Sequence, residues 1–162
     1  MLDKNAMARA FGRNAKVVAA QAEGLSHEQS LVQTPYKVNC FNWVVGHMVA
    51  SRGEILSILG SEAVLGEAAL SPYLRESDPI TGDGPGVLAF VDLLAALDGS
   101  QERIEGALGD AAEAFLAEET EVGDGRSATR SARIAFFYFH DTYHTGQTEI
   151  LRQVAGANDS II

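Results

Sequence analysis

Phe136-Phe137-Tyr138-Phe139-His140-Asp141-Thr142-Tyr143-His144-Thr145-Gly146-Gln147 is the most aromatic run of the 162-residue chain, and it sits inside a long segment of helical apolar spacing. It carries two of the four histidines. Residues four apart on a helix stand one turn above each other on one face, so His140 and His144 present their imidazoles together. Each can give a ring nitrogen to one divalent cation. His47, at the end of Asn39-Cys40-Phe41-Asn42-Trp43-Val44-Val45-Gly46-His47, reads as the third ligand, on another apolar helix. Two helices facing each other across a bundle core can bring three such nitrogens to one ion. The stretch therefore points to an all-α bundle with a metal site between helices.

The apolar pattern predicts four helices in a single domain spanning 1–162. The first runs from about Asp3 to Glu23, with Met7, Ala10, Phe11, Val17, Val18 and Ala22 on one face and Gly24 as the stop. A connector with Ser26, Thr34 and Pro35 follows, and His27 reads there as part of a solvated turn. The second helix begins at Asn39, a good N-cap, and ends near Gly60. Gly46 lies inside it at a cost of roughly 1 kcal/mol relative to Ala, which close packing beside His47 would offset. The third runs from near Val87 to about Leu108, its stripe including Val91, and Gly99 and Ser100 weaken its middle. Ala111 to Glu118 extends it or forms a short helix. After a turn at Gly123-Asp124-Gly125, the last helix starts near Ser127 or Thr129 and reaches Ala155, with Ile134, Phe137, Ile150, Leu151 and Val154 buried. Ser61 to Gly86 is the longest break, mostly irregular, with one helical turn near Ala63 to Ala69. Such a length suits a connection that crosses the whole bundle between two parallel helices, which gives up-down-down-up order.

Composition narrows the function. An apolar content of 46% fits a globular chain, and no apolar run is long enough to span a bilayer. The segment Met1 to Gln21 is broken by Asp3, Lys4, Arg9, Arg13 and Lys16, which fits an amphipathic first helix rather than a secretion signal. With Cys40 as the sole cysteine no internal disulfide is possible, and a cytoplasmic location is expected. The net charge of −10 is concentrated between residues 61 and 125, which hold fifteen acidic and two basic side chains. No basic stripe could follow a phosphate backbone, so neither nucleic acid nor an anionic membrane is an expected partner.

Asn39-x3-Trp43-x2-Gly46-His47, followed by His140-x3-His144-x-Gly146-Gln147, resembles the DinB-like superfamily of metal-binding four-helix bundles. The resemblance extends over almost the whole chain in element order, including the long connector. It implies that His47, His140 and His144 hold one divalent ion, nickel or zinc foremost with iron as a third choice, and that the protein is a homodimer. Related families include transferases and isomerases that use low-molecular-weight thiols. A three-histidine site leaves coordination positions open, unlike structural zinc sites closed by four ligands, and so reads as catalytic or sensory. The expected function is a metal-dependent transferase or hydrolase acting on a small molecule, with no catalytic acid or base assigned. Two other readings stay open: a non-catalytic metal-binding or dimerisation module, and a bundle with no metal. Glu54, Tyr143 and Gln147 are candidates, by spacing, for orienting the imidazoles. Cys40 reads as a small buried thiol, and Phe136 to Phe139 as core or a dimer face.

Overall fold

The computed structural model describes residues 3–159; Met1 and Leu2 of the amino-terminal segment, and residues 160–162, fall outside it. The chain is mostly helical. Its elements are α1 (Lys4–Ala22), α2 (His27–Ser30), α3 (Phe41–Ile58), α4 (Glu67–Leu70), a 3-10 turn (Ser71–Tyr73), α5 (Phe90–Asp110), α6 (Glu113–Ala117), β1 (Glu119–Glu121), β2 (Ser127–Thr129) and α7 (Arg130–Val154). Among the described residues no helix is long and apolar enough to cross a membrane.

The four long segments of helical periodicity become α1, α3, α5 and α7, and their ends follow local chemistry. Asp3 caps α1 by accepting from the Ala6 N–H at 3.0 Å, and Thr129 caps α7 by accepting from the Ala132 N–H at 3.2 Å. Gly24, Gly60 and Gly156 follow α1, α3 and α7 with φ of 77°, 75° and 95°, the left-handed backbone that glycine adopts without steric cost. Asn39 is not the N-cap of α3. The helix starts one residue later, after Cys40, with no side-chain cap, and its entry is fixed instead by burial of Cys40 and Phe41. The third long helix starts at Phe90 rather than Val87, because the Leu88 N–H is drawn to the Tyr73 hydroxyl at 2.7 Å. It runs unbroken through Gly99 and Ser100, where the Ser100 hydroxyl donates to the Leu97 carbonyl at 2.6 Å.

Each long helix packs on two others: α1 on α5 and α7, and α3 on α5 and α7. Specific pairs give the register. Lys4 reaches the Gly109 and Ala111 carbonyls, and Gln101 the Ala8 carbonyl. Phe11 meets Tyr138, Asn14 meets Asp141, and Arg152 reaches the Gln21 carbonyl. Arg130 reaches the Ile58 carbonyl while Arg52 pairs with Asp141. Phe41 packs on Phe90, and Arg52 on Ser100. Two apolar clusters fill the interior. One centres on Phe41, Val45, Met48, Leu93 and Leu97, the other on Phe11, Ile55, Leu56, Ile104 and Ile134.

Three features depart from the periodicity. The connector 61–86 is not a bare crossover: Leu70, Tyr73 and Ile80 are buried in the first cluster, and its helical turn is α4, displaced toward the 3-10 turn. Residues 119–129 fold into an antiparallel hairpin, Glu119 opposite Thr129, around the expected Gly123-Asp124-Gly125 turn. Val91 and Ile150, placed in apolar stripes above, are 70% and 64% exposed.

Candidate metal centre

His47 comes from the middle of α3, and His140 and His144 from successive turns of α7. One ligand atom from each lies within 4.8 Å of the others. The His140 Nε2 is 3.2 Å from the Nε2 of His47 and 3.2 Å from that of His144. His47 and His144 are buried and His140 half-buried.

The outer ring nitrogens decide which way the lone pairs face. The His47 Nδ1 stands 2.7 Å from the Tyr73 carbonyl oxygen, which can only accept, so Nδ1 carries the proton and Nε2 is bare. The His144 Nδ1 stands 2.7 Å from the Gln147 Oε1 and donates to it, leaving its Nε2 bare in the same way. The His140 Nδ1 is buried with no hydrogen-bond partner among the described residues. Two bare lone pairs thus face the third imidazole across 3.2 Å, and a single His140 proton can satisfy only one of them. A cation satisfies all three. With metal–nitrogen bonds of about 2.0–2.1 Å and tetrahedral angles, donor nitrogens stand about 3.3–3.4 Å apart, close to the spacing seen. The three histidines could hold a metal ion, and the donor set suits zinc, nickel or iron alike.

Burial, which disfavours the charged imidazolium, is the main reason all three titrate below the ordinary histidine range, His144 at about 4. The Tyr73 carbonyl works against this shift at His47, as the Gln147 amide does at His144. At His140 the neighbouring His47 and Arg75 add to the shift and Asp141 opposes it. All three rings are therefore neutral near pH 7, as ligation requires.

Tyr73 is the residue that sequence spacing missed. It is fully buried, its hydroxyl donates to the Asn42 Oδ1 at 3.1 Å and accepts from the Leu88 N–H, and its ring packs directly against Gly46. A Cβ at position 46 would overlap that ring. Gly46 therefore serves the connector, not a neighbouring long helix, and Gly146 has nothing within 4 Å of where its Cβ would lie. The Trp43 indole stacks on His47 with ring centroids 4.6 Å apart and planes 14° off parallel, its N–H held by the Pro72 carbonyl at 3.1 Å.

Next to His140 in sequence, Asp141 turns the other way, into the buried interior. Its carboxylate takes two bonds from Arg52, at 2.9 and 3.1 Å, and one from the Asn14 amide at 2.9 Å. Arg52 is fully buried and also reaches the Phe11 and Leu97 carbonyls. One polar network thus ties α1, α3, α5 and α7 together beside the imidazoles.

The other candidates separate. Gln147 orients His144, as its spacing suggested. Tyr143 is 58% exposed and lines the cavity with one ring edge toward His144. Glu54 is exposed and has no place at the site: seven residues carry it about 10 Å along the helix from His47. Cys40 is fully buried, its thiol 3.7 Å from the Ile80 carbonyl and raised in pKa by burial, and it is outside the cluster. His27 accepts from the Phe90 N–H at 3.2 Å, also outside it. Phe136 and Phe139 are 61% and 67% exposed, whereas Phe137 and Tyr138 pack against the second apolar cluster.

A cavity of about 590 Å³ opens onto the three imidazoles. Trp43, Val44, Ile150 and Leu151 form apolar walls, and Lys37 and Arg75 stand among its lining.

The fold is similar to a solved structure described as the conserved protein of locus from Enterococcus faecalis, with a TM-score of 0.75 at 14% identity, covering 98% of this chain and 99% of that one. At that identity the likeness shows the fold alone. No protein-family model and no curated protein matches the chain.

Proposed function

We propose that the chain is a metal-dependent enzyme of the DinB-like kind, built as one up-down-down-up four-helix bundle and acting on a small molecule. The helix order is supported by the pairs given above: contacts between α1 and α7, and between α3 and α5, advance together along both helices, while those of α1 with α5 and α3 with α7 run in opposite senses. The observation that carries the function is the pair of anchored imidazoles, His47 and His144, whose bare Nε2 atoms converge with that of His140 at the floor of an open cavity.

When bound, a divalent ion there would supply Lewis acidity toward a carbonyl, or lower the pKa of a water or thiol. His47, His140 and His144 would hold it; the Tyr73 carbonyl and the Gln147 amide keep two of those rings in the ligating tautomer. Stacking on Trp43 fixes the plane of His47. Among the described residues no carboxylate lines the cavity as a general base, so a proton released there would pass to solvent. A cytoplasmic protein supplied with low-molecular-weight thiols fits this chemistry.

A second reading, a non-catalytic metal-binding module that dimerises, is favoured by the exposed Phe136, Phe139 and Tyr143 along one side of α7. Elemental analysis of protein purified without a histidine tag tests the metal: close to one equivalent of nickel, zinc or iron is expected. Less than about a tenth of an equivalent, with no uptake on titration, would remove the site. A thiol-transfer and hydrolase screen with His140→Ala as control separates enzyme from module, since activity that survives the substitution excludes the metal mechanism.

A further inference from the structure

The cavity over the imidazoles has an unusual charge for this protein. The chain carries −10, and its acidic residues outnumber basic ones by 22 to 12. Yet among the described residues the ionisable groups lining the cavity, besides the histidines and Tyr143, are Lys37 and Arg75, with no Asp or Glu. The two cations come from separate connectors, one ahead of α3 and one after the 3-10 turn. Both are exposed, and among the described residues neither is in an ion pair or donates a side-chain hydrogen bond to the protein. Arg103 and Arg130, by contrast, are engaged with backbone carbonyls. The nearest carboxylate on α7, Asp141, is buried and already neutralised by Arg52. A dication on three neutral imidazoles would add two further positive charges, and among the described residues no carboxylate lines the cavity to balance them.

We propose that the cavity is a seat for an amphipathic small anion. Its oxyanion group, a carboxylate or phosphate, pairs with Arg75 and Lys37 at the mouth. Its apolar body lies along Trp43, Ile150 and Leu151, and its other end faces His47, His140 and His144. This rests on the functional reading above and adds the substrate class. The guanidinium of Arg75 can bind either oxyanion through two parallel N–H bonds, and Lys37 adds a mobile point charge. A volume of about 590 Å³ admits a molecule of drug-like size.

The single tryptophan of the chain is Trp43, so its fluorescence reports this cavity alone. The probes are 4-phenylbutyrate, 3-phenylpropyl phosphate and the neutral 4-phenylbutanamide, titrated into metal-free and zinc-loaded protein at two salt concentrations. At least one anion is expected to bind tenfold or more tighter than the amide, with the preference shrinking in high salt. Which anion wins distinguishes carboxylate from phosphate. Arg75→Gln with Lys37→Gln should abolish the preference and leave amide affinity and zinc uptake unchanged; both positions are exposed, so folding is not at stake. Equal affinity for anion and amide in both states would overturn the proposal, as would a preference that survives the double substitution. Anion preference in metal-free protein upholds the seat whatever the metal analysis gives, and zinc uptake without that preference leaves the metal reading standing while the seat falls.

Discussion

The proton on His144 Nδ1 is held by one amide oxygen, and that bond is the most direct handle on the candidate metal centre. Gln147→Leu keeps the side-chain bulk and removes the acceptor. The ring is then free to protonate on Nε2 instead, and metal affinity should fall about 10–100-fold, measured by competition with a chelator; unchanged affinity would show that the amide does not orient the ring. Gly46 is the second handle. Gly46→Ala restores about 1 kcal/mol of helix propensity, but the new methyl overlaps the Tyr73 ring, and such overpacking costs about 1–3 kcal/mol or more. Net destabilisation is expected in urea unfolding, with weaker metal binding, because a displaced Tyr73 takes its carbonyl from His47. The three histidines could be read from the sequence because His-x3-His fixes one helical face and the remaining apolar helix holds one more. Tyr73 could not: it lies in an irregular segment with no period, and its only trace is the glycine it packs against, 27 positions earlier.

The four long helices stand out because their apolar positions repeat at helical spacing, and their glycine stops at 24, 60 and 156 act locally. Their starts are harder to read where distant groups intervene. Asn39 has the chemistry of an N-cap but sits one residue outside α3, and Leu88 is held out of α5 by a tyrosine hydroxyl from another element. The network through Arg52 and Asp141 was equally hidden, since an arginine within an apolar helix reads as a polar-face residue until its partner on α7 is known. It carries the strongest prediction between elements. Asp141→Asn is nearly isosteric and leaves a fully buried guanidinium without its counter-charge, which should cost about 3–5 kcal/mol. Replacing both partners, Arg52→Met with Asp141→Leu, should recover much of that loss, because no charge is then left buried. Chemical denaturation of the single and double variants decides it: equal losses would mean that the pair adds nothing beyond packing.

Across the whole molecule, the same burial that keeps the imidazoles ready for metal makes the metal-free fold sensitive to mild acid. In the unfolded chain each of the three titrates near the ordinary value of about 6.5, while in the fold all three are pushed lower, His144 to about 4. Below pH 6.5 the unfolded chain therefore binds protons that the folded chain refuses. Stability falls as pH falls, and the loss from His144 is complete only below its folded pKa. For His144 alone the shift corresponds to roughly 3 kcal/mol across that window. Glu28 and Asp159, whose pKa values are lowered by hydrogen bonds first of all, act in the same direction but only once the pH falls into the ordinary carboxylate range. The limb between pH 6.5 and 5 thus belongs to the imidazoles. Urea midpoints of chelator-treated protein should drop steadily from pH 7 to 5, and His144→Gln, which has nothing to protonate, should flatten the slope. A midpoint constant over that range would mean that the three rings are hydrated rather than buried, and the preformed site would lose its physical basis.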